Sequence, residues 1–166
     1  MALDTLQRLL LFLLLVLAQV LVLGHIELFG CATPLLYVYF AIMFPRSYPK
    51  WAVLLWSFAL GLTVDMFTNT PGLAAAAMTM VGCLQPYLLE LFLPRDAEPN
   101  IKASAATLGF GNFFLLALLL TLIYCIAFFM LQAFRIYDWQ QLLSNIGGST
   151  ALTLVLILAL ESGRKK

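Results

Sequence analysis

Asp65 is an acidic side chain that lies within a long apolar stretch of this sequence. It follows Gly61 by one helical turn and precedes the polar stretch Thr68-Asn69-Thr70. Acids inside a membrane are costly, and they usually face the interior of a helix bundle or a cavity. Two roles for Asp65 stay open. Its carboxylate either accepts hydrogen bonds from that stretch or faces a partner, or it is an interfacial group that caps a loop.

The other reactive side chains do not form a catalytic or metal-binding pattern. No second carboxylate or histidine lies near Asp65 for acid–base catalysis. His25 and Glu27 lack a third ligand nearby, which favours a solvated turn over a metal site. Gly109-Phe110-Gly111 resembles part of a nucleotide-binding fingerprint but follows no predicted strand. The cysteines are scattered, without the spacing of zinc or redox sites: Cys31, Cys83 and Cys125. The sequence therefore predicts no enzyme, no cofactor and no metal.

Two segments predicted to be outer turns are candidates for binding. Asn69-Thr70-Pro71-Gly72-Leu73 contains a strong Pro-Gly turn signal. Arg135-Ile136-Tyr137-Asp138-Trp139 mixes a cation with aromatic residues, a composition enriched at interfaces, although membrane anchoring explains the aromatics equally well. The candidate partner-binding or structural residues are therefore Gly61, Asp65, Asn69, Pro71, Gly72, Arg135 and Trp139.

Pairs of small residues four positions apart predict close helix contacts. These pairs are Ser57 with Gly61, Ala105 with Gly109, and Gly147 with Ala151. In lipid, helices associate through backbone contact at such positions. The pairs serve either the internal packing of the protein or the docking of a foreign transmembrane helix.

The composition predicts that these candidate residues lie on or between membrane-spanning helices. Of the 166 residues, 63% are apolar and 10% are charged, whereas soluble domains average about 25% charged residues. The net charge of +1 argues against nucleic acid as a partner. The sequence predicts one all-α integral membrane domain over residues 1–166, with six spans at about 6–23, 31–44, 51–66, 73–93, 105–134 and 144–160. The first span is expected to be retained, not cleaved as a signal peptide.

Two of the predicted spans have unusual lengths. The second is about 21 Å long as a helix, shorter than the roughly 30 Å hydrocarbon core. It must be covered by neighbouring helices, begin as unwound backbone or lie in a thinned bilayer. The fifth reaches about 45 Å, so it must tilt or begin as an interfacial segment.

The basic residues predict how the chain threads the membrane. One predicted side carries Arg8, Arg46, Lys50, Arg95, Lys102, Arg164, Lys165 and Lys166, and only Arg135 falls on the other. Short loops rich in Lys and Arg stay in the cytoplasm. Both termini are therefore expected to be cytoplasmic.

The third and fourth spans carry a family resemblance. Leu60-Gly61-Leu62-Thr63-Val64-Asp65-Met66-Phe67, then Thr70-Pro71-Gly72-Leu73 and a small-residue helix, resembles the bacterial rod-shape-determining MreD family. That family shows a Gly-Leu-x-x-Asp step, a turn with Gly or Pro, and a helix rich in Ala and Gly. The resemblance in specific residues covers about 61–82. Thr68 or Asn69 replaces the family's usual glycine after the aspartate.

This resemblance implies a function and a location. It implies a multi-pass, non-enzymatic scaffold subunit of the cell-wall elongation machinery in the bacterial cytoplasmic (inner) membrane. The implied partners are MreC, through its transmembrane and membrane-proximal segment, and MreB, RodA and the penicillin-binding transpeptidase of RodA. Asp65 and the 69–73 turn would shape the outward side. The inner loops with Arg46, Lys50, Arg95 and Lys102 would face MreB or anionic lipid.

The family fold also resembles the substrate-binding subunit of energy-coupling-factor vitamin transporters, a six-helix bundle. The alternative function is therefore a substrate-binding membrane subunit of a vitamin or small-molecule transporter. It needs polar side chains that converge on one outward pocket. The sequence offers few: Asp65, Asn69, Thr70, Asn112 and Trp139. A lipid flippase or intramembrane enzyme would need buried acid, base or nucleophile pairs, which the sequence does not offer.

Overall fold

The structure is a computed structural model that describes residues 2–21, 34–93, 98, 100, 103–133 and 138–164. Within these ranges the chain is helical and contains no strand. The helices are α1 (Ala2–Leu21), α2 (Val38–Ile42), α3 (Lys50–Thr68), α4 (Leu73–Phe92), α5 (Ala105–Leu108), α6 (Phe110–Ala133) and α7 (Trp139–Arg164).

Four of these helices are long and apolar enough to cross a membrane: α3, α4, α6 and the Trp139–Gly163 part of α7. The apolar part of α1, Thr5–Leu21, is shorter. The outer faces of the spanning helices expose large apolar side chains, such as Met66 at 78% and Leu91 at 74%. Continuous apolar surface of this kind suits lipid and not water. The transmembrane class is therefore supported, whereas the sixfold span count and the orientation stay predictions.

The turn between α3 and α4 depends on two residues with left-handed backbone. Asn69 ends α3 with φ 58°, and Gly72 precedes α4 with φ 82°. Glycine and asparagine adopt this conformation at low cost. The predicted turn therefore lies where the sequence places it. The two helices run antiparallel and pack along their length.

The described part of the predicted second span, residues 34–44, is helical only in α2. Only the five residues of α2 form a helix, and residues 34–37 before them are irregular. All of residues 34–42 are buried among the other helices. Of the three alternatives for this short span, the structure shows two together, unwound backbone and cover by neighbours.

Side chains from α1 and α7 bind the irregular backbone. Gln19 donates a hydrogen bond to the carbonyl of Pro34 (2.9 Å) and accepts one from the N–H of Leu36 (3.2 Å). The N–H of Leu35 donates to Thr153 Oγ1 (3.1 Å). Non-helical backbone at membrane depth is tolerated only where such partners satisfy it. Gln19 and Thr153 thus allow α2 to begin inside the bundle.

The predicted fifth span, about 105–134, is divided at Gly109 into α5 and α6. Gly109 has φ 83°, which ends α5 before α6 begins. The 24 residues of α6 reach about 36 Å, which fits the hydrocarbon core with a moderate tilt. The α7 helix begins at Trp139, earlier than the predicted start at residue 144.

The bundle has two ends, which we name by their connections. The turn end carries the 69–72 turn. The loop end carries the 43–49 and 93–104 connections, which are joined by a hydrogen bond from Ser47 Oγ to Asn100 Oδ1 (2.7 Å). The cations at the loop end include Arg8, Arg46 and Lys50.

Candidate functional site

Asp65 caps the neighbouring helix α4. Its side chain is 4% exposed. Oδ1 accepts hydrogen bonds from the N–H of Ala74 (2.9 Å) and the hydroxyl of Thr70 (2.9 Å), and Oδ2 accepts one from the N–H of Ala75 (2.8 Å). Ala74 and Ala75 are the second and third residues of α4, the positions that an N-cap side chain normally serves. Since the N-cap residue Gly72 has no side chain, Asp65 supplies the carboxylate from α3.

This geometry decides what Asp65 can do chemically. The predicted hydrogen bond from the 68–70 stretch is present, because Thr70 donates to the carboxylate. Two backbone donors and the positive end of the α4 dipole also stabilise its negative charge. The carboxylate is buried within the protein. Its oxygens accept hydrogen bonds from the protein itself, so the carboxylate links α3 to α4.

Gly61 lies where the backbones of α3 and α4 touch. A Cβ added at Gly61 would lie 2.5 Å from the carbonyl oxygen of Ala74 and 2.6 Å from Cα of Ala75. Further along, a Cβ at Gly82 would lie 2.6 Å from Ser57 Oγ. The Ser57 and Gly61 pair thus serves internal packing against α4. The contact at Gly61 involves Ala74 and Ala75, the residues that Asp65 binds. The distance between α3 and α4 and the capping of α4 by Asp65 therefore depend on each other.

The other predicted site residues have varied environments. Asn69, Pro71 and Gly72 are exposed and shape the turn, and a Cβ at Gly72 would meet open space. Trp139 is 75% exposed at the first residue of α7. Arg135 lies outside the described residues. Gly61, Asp65, Asn69 and Gly72 therefore form one α3–α4 junction, which Trp139 does not enter.

Glu161 is a second buried carboxylate that sequence analysis missed. It follows the predicted sixth span at 144–160, but it lies within α7 with 3% exposure. Oε1 accepts hydrogen bonds from the N–H of Ala105 (3.0 Å) and the hydroxyl of Ser104, and Oε2 accepts one from the hydroxyl of Tyr39 (2.9 Å). These contacts cap α5 and tie α2 to α7.

A signal for Glu161 exists in the sequence. Thr153, Ile157 and Glu161 are spaced by one helical turn each, and all three are buried. The buried stripe of α7 thus continues beyond residue 160, where the predicted sixth span ends. Four-residue periodicity extended past Leu160 would have placed Glu161 inside the bundle.

A buried pair of tyrosines lies in the core between the two carboxylates. The hydroxyls of Tyr37 and Tyr124 share a hydrogen bond, and their rings pack edge to face with centroids 5.4 Å apart. Both side chains are at most 1% exposed. Each buried hydroxyl thereby has a hydrogen-bond partner. Among the described residues, no group of three His, Cys, Asp or Glu side chains lies close enough to hold a metal.

The five polar residues of the alternative transporter function do not all converge on one pocket in the described structure. The carboxylate of Asp65 faces α4, and Asn69 is exposed in the turn. Asn112 is exposed at the start of α6, which lies at the loop end. Trp139 belongs to the opposite end. A ligand at the turn end could not contact Asn112 and these residues together.

The small-residue pair on α7 is exposed, unlike the pair on α3. Gly147 and Ala151 both lie on the outside, and a Cβ at Gly147 would meet no atom within 4 Å. Leu143 (68% exposed) and Val155 (66% exposed) continue the same line at helical spacing. We call Leu143, Gly147, Ala151 and Val155 the α7 row. It is a shallow apolar surface that a second helix could approach closely.

The described site thus consists of two capping carboxylates, Asp65 and Glu161, and of the close helix contact at Gly61. The α7 row faces outward and has no packing partner inside the described bundle. In comparison with known proteins, no protein-family model, no curated protein and no solved structure matches the chain.

Proposed function

We propose that this protein is a non-enzymatic scaffold subunit of the bacterial cell-wall elongation machinery, similar to MreD. The observation that supports this most is the α3–α4 junction. The residues on which the MreD resemblance rests are Gly61, Asp65 and the 70–73 turn, and they meet in one contact. A chance similarity of letters gives no reason for these positions to share a structural role. The aspartate caps α4, and the glycine allows α4 to approach.

The chemistry of the junction agrees better with a scaffold than with an enzyme. A catalytic acid or base needs an oxygen that can reach a substrate. The carboxylate of Asp65 instead accepts three hydrogen bonds from its own chain. In our proposal the junction makes the turn end rigid. The exposed Asn69, Pro71 and Gly72 then offer a fixed surface to the membrane-proximal segment of MreC.

We place the transmembrane helix of MreC on the α7 row. Of the small-residue pairs, Ser57 with Gly61 is occupied by α4, whereas Gly147 and Ala151 are exposed. Small residues on a lipid-facing helix allow a partner backbone to approach closely. The row ends near Trp139, at the same end of the bundle as the 69–72 turn. One partner chain could therefore contact both surfaces.

The rest of the proposal concerns the membrane. We propose a six-span bundle like the substrate-binding subunit of energy-coupling-factor transporters, in the bacterial inner membrane with both termini in the cytoplasm. The cations of the loop end, Arg46 and Lys50, would then face MreB or anionic lipid. Arg95 and Lys102, which lie outside the described residues, would join them. RodA and its penicillin-binding transpeptidase would associate through the same assembly.

Co-purification tests the proposal. The tagged protein is extracted in a mild detergent, and retention of the MreC homologue from the same organism is measured. We expect Ala151→Leu to weaken retention about tenfold, equivalent to about 1.4 kcal/mol, because leucine separates the two backbones. The matched control is Ala76→Leu, which makes the same change at an exposed position of α4.

Two outcomes would contradict the proposal. One is that the unchanged protein never retains MreC but retains subunits of vitamin uptake. The other is that its depletion causes vitamin auxotrophy without rounding of the cells. Equal loss with Ala151→Leu and Ala76→Leu would overturn the placement on the α7 row while leaving the scaffold itself in place.

A further inference from the structure

A narrow cleft opens at the turn end, where α6 ends and α7 begins. One face of each helix lines it: Phe129, Gln132 and Ala133 on α6, and Asp138, Gln141 and Leu142 at the start of α7. Its volume is about 70 Å³. One water molecule takes up roughly 30 Å³ in the liquid, so the cleft holds the end of one side chain and excludes a helix.

The cleft is negatively charged. Asp138 is the one exposed charged side chain among the described residues of the turn end, and the last turn of α6 contains no basic residue. The end of α6 and the start of α7 have dipole charges of opposite sign and similar size, so the carboxylate of Asp138 decides the sign. The cleft therefore favours a cation.

The carboxylate of Asp138 has no partner within the described part of the chain. The ion pair of that part, between Lys50 and Glu90, lies at the loop end. Asp65, by contrast, uses its oxygens for hydrogen bonds from its own chain. Asp138 thus keeps its acceptor oxygens for a group from outside, whereas Asp65 does not.

The walls of the cleft indicate the class of this cation. Phe129, Ala133 and Leu142 are apolar, and Phe129 is only 6% exposed. Apolar walls around one acid suit a lysine or arginine side chain, whose methylene stem packs on hydrocarbon while its charged end stays at the polar rim. A hard metal ion prefers several carboxylates, and no group of three His, Cys, Asp or Glu side chains lies together in the described ranges.

We propose that this cleft binds a basic side chain from the membrane-proximal segment of MreC, with the charged end on Asp138 and the stem against Phe129, Ala133 and Leu142. The inference rests on the scaffold function proposed above and adds the chemistry by which the segment is recognised. The cleft lies beside Trp139, which is 75% exposed as membrane-interface tryptophans are, so the segment meets it outside the hydrocarbon core.

The cleft and the α7 row lie on different faces of α7. A chain whose transmembrane helix lies on the row must therefore cross the start of α7 before it reaches Asp138. A helix is about 10 Å across, and an extended chain covers about 3.3 Å per residue. About three to four residues past the end of the transmembrane helix suffice, which defines where the basic residue of the partner should lie.

Co-purification with the MreC homologue of the same organism tests the cleft. Asp138→Asn removes the charge and should lower retention about fivefold. Ala133→Phe keeps the charge but fills the cleft, so it should lower retention similarly. The matched control is Glu90→Gln, which removes the same charge at the loop end and should leave retention unchanged. Added salt should weaken retention by the unchanged protein and have little effect on the Asp138→Asn variant.

Charge exchange identifies the bound side chain. Asp138→Lys should lower retention further than Asp138→Asn, and replacement of one basic residue by glutamate in the membrane-proximal segment of MreC should restore it. Failure of every such exchange, or equal retention by Asp138→Asn and Glu90→Gln, would overturn the cleft while leaving the scaffold in place. Absence of any retention by the unchanged protein would overturn the scaffold and the cleft together.

Measurements on the protein without MreC test two other sources of the cation. Asp138→Asn should leave the melting temperature unchanged. A fall that Arg135→Gln reproduces, and that the double variant does not increase, would assign the cation to this chain and overturn the proposal. Co-purification of two differently tagged copies that depends on Asp138 would assign it to a second copy and overturn the proposal as well.

Discussion

The two buried carboxylates do similar work at opposite ends of the bundle. Asp65 is 4% exposed and Glu161 is 3% exposed, and each accepts N–H groups from the first turn of another helix. Their distances along the chain differ. Asp65 binds residues nine and ten positions away, whereas Glu161 binds Ala105 at a separation of 56 residues. Asp65 closes a local hairpin, and Glu161 joins the last helix to the middle of the chain.

Removal of the Asp65 cap should lower the free energy of unfolding more than any other change considered. Asp65→Ala leaves the N–H groups of Ala74 and Ala75 buried without their acceptor, so we expect a loss of about 3–5 kcal/mol in the free energy of unfolding. Unfolding in mixed micelles with increasing dodecyl sulfate measures it. Asp65→Asn keeps one acceptor oxygen and should lose about half as much. A loss under about 1 kcal/mol for the alanine variant would contradict the capping role.

Removal of the distant cap should cost less. We expect Glu161→Ala to lose about 2–3 kcal/mol, because α5 is short and Ser104 still accepts from the N–H of Ala106. The same titration measures it. The double variant with Asp65→Ala should be additive within about 0.5 kcal/mol, since the hydrogen bonds described for the two sites have no residue in common. A larger coupling energy would show that the two ends do not act independently.

The close contact between α3 and α4 at Gly61 can be tested with a single added methyl group. Gly61→Ala should destabilise the protein by about 1–3 kcal/mol, because the added methyl group meets backbone atoms that cannot move aside. Gly147→Ala is the matched control. There the methyl group meets open space, and the better helix propensity of alanine should make the change neutral or slightly favourable. Equal losses for the two variants would contradict the packing described at Gly61.

Removal of the exposed carboxylate Glu90 should have the smallest effect on the free energy of unfolding. Glu90 is 47% exposed and lies 3.9 Å from Lys50. We expect Glu90→Ala to change the free energy of unfolding by at most about 1 kcal/mol, because water already screens the pair. The result is obtained by the same titration. A loss comparable with that of Glu161→Ala would mean that burial does not distinguish the carboxylates.

The features that sequence analysis predicted are local ones. Apolar runs mark the four long helices, the Pro71-Gly72 step marks the turn, and Asp65 contrasts with its apolar neighbours. The hydrogen bond from Thr70 follows from five residues of separation. Each of these can be recognised within a short window of sequence, because the physical partners lie within that window.

The features that it missed depend on distant partners or on backbone conformation. Gln19 binds the irregular backbone at Pro34 and Leu36. No pattern in the leucine-rich sequence around Gln19 predicts this pairing. Gly109 interrupts the fifth apolar run because its φ is positive, although glycine is also tolerated inside helices. Glu161 finds its partners only when the bundle has assembled. Long-range pairing of this kind is a property of the fold and cannot be seen in one segment.

The Asp65 cap also has a consequence for biogenesis. When the nascent chain has delivered only α3, the carboxylate lacks the two amide donors of α4, and an acid without them is poorly soluble in hydrocarbon. We expect α3 to remain beside the translocon until synthesis has passed Ala75, so that both segments partition into the bilayer as a pair. Crosslinking of ribosome-stalled chains that end before or after α4 would detect this delay, and Asp65→Leu should abolish it.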